Sequence, residues 1–94
     1  MLPVLDPLLH SQLRLAVISM LIGSPEADFV YLQKKTGATA GNLSVQLEKL
    51  RQAGYISVEK SFRGKMPRTT CRITTDGVAA FEKYIEALQD YLPK

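Results

Sequence analysis

Apolar residues return along this chain at two periods, and the change from one to the other divides it. Over 39–53, Leu43, Leu47 and Leu50 recur at spacings of four and three, the signature of a helix with one buried face. Over 55–60 the pattern shortens to two: Ile56 and Val58 alternate with Ser57 and Glu59. A mirrored segment at 69–74 sets Cys71 and Ile73 against Thr70 and Arg72. Two alternating runs predict a β-hairpin, joined by a long loop over 61–68. The longer period then resumes over 75–92 with Val78, Phe81, Ile85, Leu88 and Leu92, widened by Tyr84 and Tyr91. A first helix over 7–22 shows two stripes: Leu9, Leu13, Ala16, Met20 and Leu8, Leu15, Ile18, Ile22. A helix that buries one face shows one stripe. Two stripes imply burial on two sides, the second against a partner, for which a second copy of the chain is the simplest candidate.

Capping residues mark the ends. Asp6-Pro7 opens the first helix, since Asp can cap and Pro suits the first helical position. Gly23-Ser24-Pro25 stops it. Ala27-Asp28-Phe29 reads as a short extended link, with Asp28 capping a short helix over 28–35. Thr36-Gly37-Ala38 is a turn, Thr39 caps the next helix, and Gly54 ends it. Thr74 caps the last helix, with Asp76 in its first turn where the dipole favours an acid.

At 94 residues the chain suits one domain, and 46% hydrophobic with 22% charged residues is ordinary for a globular fold. The formal net charge of +3 conceals a strong asymmetry. Residues 34–72 hold nine of the twelve Lys and Arg against only Glu48 and Glu59, while both flanking segments are net acidic. A basic middle between acidic ends points to a polyanion partner, nucleic acid above all. The single Cys71 excludes an intrachain disulfide, and with His10 as the one histidine no metal cluster or Ser-His-Asp set can be assembled. Enzyme chemistry has little to work with. The longest apolar run, residues 15–22, is far short of the ~20 residues of a membrane span, and the amino-terminal residues lack a basic secretory segment. A soluble, cytoplasmic protein is expected.

With Leu43, Leu47 and Leu50 turned inward, the helix over 39–53 points Gly41, Asn42, Val45 and Lys49 outward, flanked by Ser44, Gln46 and Glu48. That face suits base reading in a major groove, where bulk would hold the backbone off and amide or hydroxyl groups can bond base edges. Thr39 and the free amides of the first turn can meet a phosphate. A solvated amphipathic helix is the competing reading. Such a surface normally carries Glu and Lys at many positions, whereas residues 39–47 carry no charge, and Gly41 weakens the helix by about 1 kcal/mol relative to Ala. The hairpin loop adds Arg63, Lys65 and Arg68, with no acid between Glu59 and Asp76, and suits a phosphate backbone.

The run from Thr36-Gly37 through Asn42-Leu43-Ser44, Leu47-Glu48-Lys49-Leu50 and Ala53-Gly54-Tyr55-Ile56 resembles the winged helix-turn-helix of MarR- and ArsR-type transcriptional regulators. Residues 64–74 followed by Asp76-Gly77 resemble their wing and the start of their last helix, and residues 10–21 their first helix. The resemblance spans nearly the whole chain. It implies an α+β, mostly α, winged helix-turn-helix over 1–94: a three-helix core, a β-hairpin wing over 55–74 and a C-terminal helix for dimerisation. It also implies a homodimer, paired through the first and last helices, on a pseudo-palindromic operator in double-stranded DNA. DNA contacts carry over to Thr39, Gly41, Asn42, Ser44, Val45, Gln46 and Lys49 on the helix and to Arg63, Lys65 and Arg68 on the wing. No cofactor or metal is implied. A winged-helix protein-interaction module without DNA binding is the alternative.

Overall fold

The computed structural model describes residues 1–93, which form α1 (Gln12–Gly23), β1 (Glu26–Asp28), α2 (Phe29–Thr36), α3 (Ala40–Gln52), β2 (Ile56–Arg63), β3 (Met66–Ile73) and α4 (Thr75–Gln89). Four helices with a three-stranded antiparallel sheet, hairpin included, make the expected winged helix. Leu43, Leu47 and Leu50 of α3 enter the core as their spacing predicts. They meet Val17, Ile18 and Leu21 of α1, Leu32 of α2, Ile56 and Cys71 of the sheet, and Tyr84 of α4.

The first helix begins later than the Asp6-Pro7 signal predicts. Asp6 does cap, its Oδ1 accepting the Leu8 N–H at 2.9 Å, but only one turn follows. Ser11 is extended (φ −151°, ψ 129°), and the helix restarts at Gln12. The Leu8 carbonyl, which a continuous helix would offer to the Gln12 N–H, instead accepts from Arg14 Nε at 2.6 Å. The break lets Leu9 bury completely. The two expected stripes are also corrected. Val17 and Leu21, in neither stripe, are buried with Ile18, while Leu13, Ala16 and Met20 on one flank and Leu15 on the other are half-buried. The helix is apolar almost all round, so its pattern could not single out the core face.

The extended link before α2 proves to be a strand. β1 pairs antiparallel with β3 (Ala27 opposite Cys71, Asp28 opposite Thr70), giving the strand order β1-β3-β2. Asp28 then caps α2 as expected, its Oδ1 accepting the Tyr31 N–H at 2.8 Å, and Gly37 closes that helix at φ 71°. The long loop expected over 61–68 is absent. β2 and β3 stay in register out to Arg63 opposite Met66, joined by Gly64 and Lys65 alone. Gly64 sits at φ 64°, as the first central residue of a tight II′-type hairpin turn requires. Pro67 is tolerated in β3 because it lies beyond the reach of β1, where the strand has no second neighbour.

Thr74 Oγ1 accepts the Gly77 N–H at 3.0 Å and so caps α4. A side chain at Gly77 would place its Cβ 2.2 Å from the Tyr55 carbonyl oxygen, so α4 leaves the hairpin in direct backbone contact. The helix ends at Gln89, three residues short of the expected 92, and a turn carries Tyr91 and Leu92. Only Gly77 and Tyr84 of α4 are buried, while Val78, Phe81, Ile85 and Leu88 stay half-exposed. The molecule is elongated, 54 × 25 × 21 Å.

Candidate nucleic-acid interface

Thr39 is extended, and its Oγ1 accepts the Asn42 N–H at 3.1 Å, which leaves the first amides of α3 directed outward without an intrahelical partner. Gly41, Asn42, Ser44, Val45 and Lys49 are all exposed, Val45 by 52%. A Cβ at Gly41 would meet nothing within 4 Å, so the fold itself does not demand glycine there. Gln46 differs from its expected neighbours. It is half-buried, its Oε1 accepts from Arg14 Nη1, and its Nε2 donates to Asn42 Oδ1 at 3.1 Å. It ties this face of α3 to α1 and steadies Asn42. The Glu48 carboxylate is paired with Arg51, whose hydrogen bond holds its pKa below the usual value, so the acid of this face is already neutralised.

On the hairpin, Arg63 and Lys65 stand exposed at the tip. Arg68 does not join them. It is half-buried at the base, 3.8 Å from Asp28, and its Nε is buried without a partner. Arg72 lies on the same sheet face and bridges Glu26 at 2.9 Å and Glu59 at 3.2 Å. Among the described residues the ion pairs engage Arg51, Arg68 and Arg72, so on α3 and the hairpin Lys49, Lys60, Arg63 and Lys65 stand outside any ion pair.

A cleft of about 400 Å³ runs between α3 and the hairpin, lined by Ala40, Ser44 and Glu48 on one side and Val58, Lys60 and Thr69 on the other. The helix tip and the wing therefore border one opening on one side of the molecule. Lys60 was not among the residues expected from sequence, although the charge count contained it; its place opposite Ser44 needed the fold. Lys35 was missed in the same way. Its Nζ lies 5.8 Å above the Tyr31 ring, and it lines a second cleft with Asn42 and Gln46.

The residues that might have suggested other chemistry are accounted for. His10 Nδ1 is 3.0 Å from the Tyr84 hydroxyl. Cys71 is fully buried, and burial together with Asp28 pushes its thiol up to about 11, so little reactive thiolate exists near neutrality. No group of three potential metal ligands occurs among the described residues, and no helix there is long and apolar enough to cross a membrane.

The family described as winged helix DNA-binding domain matches residues 13–92. An uncharacterised protein of Methanocaldococcus jannaschii is 36% identical over 81 residues, 85% of this chain and 88% of that one. The structure of a transcriptional regulator homologue from Pyrococcus horikoshii superposes with a TM-score of 0.84 at 26% identity, covering 89% of this chain and 83% of the other. A structure of disulfide-formed AbfR shares the fold at a TM-score of 0.79 and 19% identity, covering 89% of this chain and 57% of its own. The family match and the shared fold bear out the winged helix read from the motifs.

Proposed function

We propose that this chain, which belongs to the winged helix DNA-binding domain family, is a transcriptional regulator that reads duplex DNA in sequence-specific fashion as a homodimer on a pseudo-palindromic operator. One observation carries the reading. An uncharged, exposed helix tip and a cationic hairpin border the same cleft, which Ser44 and Glu48 line on the helix side and Lys60 on the hairpin side. A phosphate strand fits between them while α3 lies in the major groove. Asn42, Ser44, Val45 and Lys49 then face base edges, and Thr39 and Gly41 let the backbone approach a phosphate. Gln46 holds Asn42 in place. Arg63, Lys65 and Lys60 meet the backbone, and Arg68 anchors the wing to Asp28 at the start of α2.

The half-exposed stripe of α4 (Val78, Phe81, Ile85, Leu88) and the apolar flanks of α1 support pairing with a second copy. Isologous pairing makes the operator palindromic and sets the two reading helices in successive major grooves about 34 Å apart. Regulation follows from occupancy of the site.

Selection of bound sites from random duplex DNA tests the proposal. Inverted repeats with half-sites about one helical turn apart are expected, and binding should weaken steeply with salt. No enrichment, or a flat salt response, would remove DNA reading. The exposed Val45, Phe62 and Met66 favour one other reading, a protein-interaction module. That reading requires the same surfaces to hold a protein at salt concentrations that abolish duplex binding.

A further inference from the structure

Phe62 and Met66 are 75% and 70% exposed, far from any core, at the end of a hairpin whose projecting part is otherwise cationic. The pairing of β1 stops at Asp28 opposite Thr70, so from Thr69 outward β2 and β3 form a bare two-stranded ribbon. Strand alternation sorts the side chains of this ribbon. Phe62 and its cross-strand partner Pro67 share the face of Lys60 and Thr69, which is the face that lines the cleft opposite α3. Arg63 and Met66 occupy the reverse face, and Lys65 sits in the turn. An aromatic ring backed by a proline thus points to the same side as the reading helix, with Lys60 on its own face, Lys65 in the adjoining turn and Arg63 on the far side of the strand.

We propose that Phe62 acts as an apolar wedge in the minor groove, partly unstacking a flexible pyrimidine–purine step beside the half-site and bending the duplex. The inference rests on the DNA-reading proposal above and extends it. Ribbon strands lie about 4.8 Å apart, and a minor groove is about 6 Å wide, so the ribbon enters edge-on or widens the groove as it enters. Apolar side chains driven between base pairs kink DNA by about 20–90° toward the major groove, and pyrimidine–purine steps yield most easily. The cations hold the adjacent phosphates against the wing during that distortion. A protein partner fits this patch less well, because the cores of protein interfaces are depleted in charge, and Lys60 on the same face and Lys65 in the turn flank this ring.

The test uses a duplex carrying the enriched site, with 2-aminopurine at a pyrimidine–purine step flanking the half-site and a fluorescent pair at its ends, read at saturating protein. The native protein should raise the 2-aminopurine signal and bring the ends closer. Phe62→Ala should lose both signals while binding ~10-fold more weakly, the scale of one lost base–aromatic contact, and Phe62→Leu should keep a bend. A native complex with neither signal, a Phe62→Ala complex that keeps both, or complete loss of binding by Phe62→Ala would overturn the wedge and leave DNA reading intact. So would a change in the oligomeric mass of free Phe62→Ala, since Phe62 would then belong to a contact between protein chains. Absence of salt-sensitive binding by the native protein to any duplex is a separate result, and it overturns the DNA-reading proposal together with the wedge.

Discussion

Helices α3 and α4 carry apolar stripes of the same kind and spend them differently. Leu43, Leu47 and Leu50 of α3 are at most 4% exposed within one chain. On α4 only Gly77 and Tyr84 are buried, while Leu88 is half-exposed and so are Phe81 and Ile85, which lie along a shallow surface with Glu82 and Glu86. The periodicity is equally clean in both. It tells which face of a helix avoids water but not what covers that face. In α3 the cover is the chain's own core. In α4 the cover is incomplete, and a second copy is the proposed remainder.

The largest expected effect lies on the α3 side. Leu43→Ala should lower stability by about 2–5 kcal/mol in urea denaturation, the usual result of opening a cavity at a fully buried leucine. Phe81→Ala should cost less than that at concentrations where the protein is monomeric; equal losses would erase the contrast. Next, Ile85→Glu should leave helical content near native by circular dichroism and reduce the mass seen in sedimentation equilibrium to that of one chain. A variant that stays paired would move the dimer contact elsewhere. On the DNA side, Arg63→Ala combined with Lys65→Ala should weaken binding at least ~10-fold for all duplexes alike and make the log–log salt slope of the dimer shallower by about 3.6, two phosphate contacts being lost from each subunit. A loss confined to some sequences would reassign these two residues as base readers.

A smaller effect separates the inner from the outer face of α3. Because nothing crowds Gly41, Gly41→Ala should raise stability by about 0.5–1 kcal/mol, yet weaken duplex binding by holding the helix off the groove. Stabilisation without loss of binding would mean the helix does not approach DNA through that position. The smallest effect concerns Tyr55, whose hydroxyl donates to Asp6 Oδ2 at 2.6 Å. That hydrogen bond, burial, and the charges of Asp6 and Asp76 push the phenol from 10.0 up to about 12. A raised folded-state value for this neutral acid means its contribution is intact below pH 10 and fades as the pH climbs toward 12. The stability difference between the native protein and Tyr55→Phe should therefore shrink over that window, and a constant difference would show that the bond does not govern the titration.

The parts of the fold legible in the sequence are those decided locally. Thr39, the leucine spacing and Gly54 define α3 within a residue or so of its observed ends, because a cap, a stripe and a stop are all short-range signals. Asp28 and Thr74 cap as expected for the same reason. Several of the misreadings needed contacts distant in sequence. The strand character of Glu26–Asp28 depends on β3, some forty residues away. The wing loop was taken as long because Gly64 and Pro67 both read as breakers, whereas one serves the turn and the other sits at an unpaired strand margin. At the candidate site, the neutral helix tip and the basic hairpin were readable as composition. Arg68 looked like a free cation until β1 brought Asp28 beside it, Gln46 looked outward until Arg14 bonded it, and the alignment of Lys60 with Ser44 exists only in three dimensions.

Gly77 gives the molecule a fulcrum. Because the start of α4 lies bare against the Tyr55 carbonyl, with the Ile73 side chain beside it, the angle between that helix and the hairpin is set chiefly by main chain on main chain. In the proposed dimer, with α4 at the symmetry axis and the hairpin in a groove, a single methyl group at this position would swing the two halves apart and alter the length of DNA they could span together.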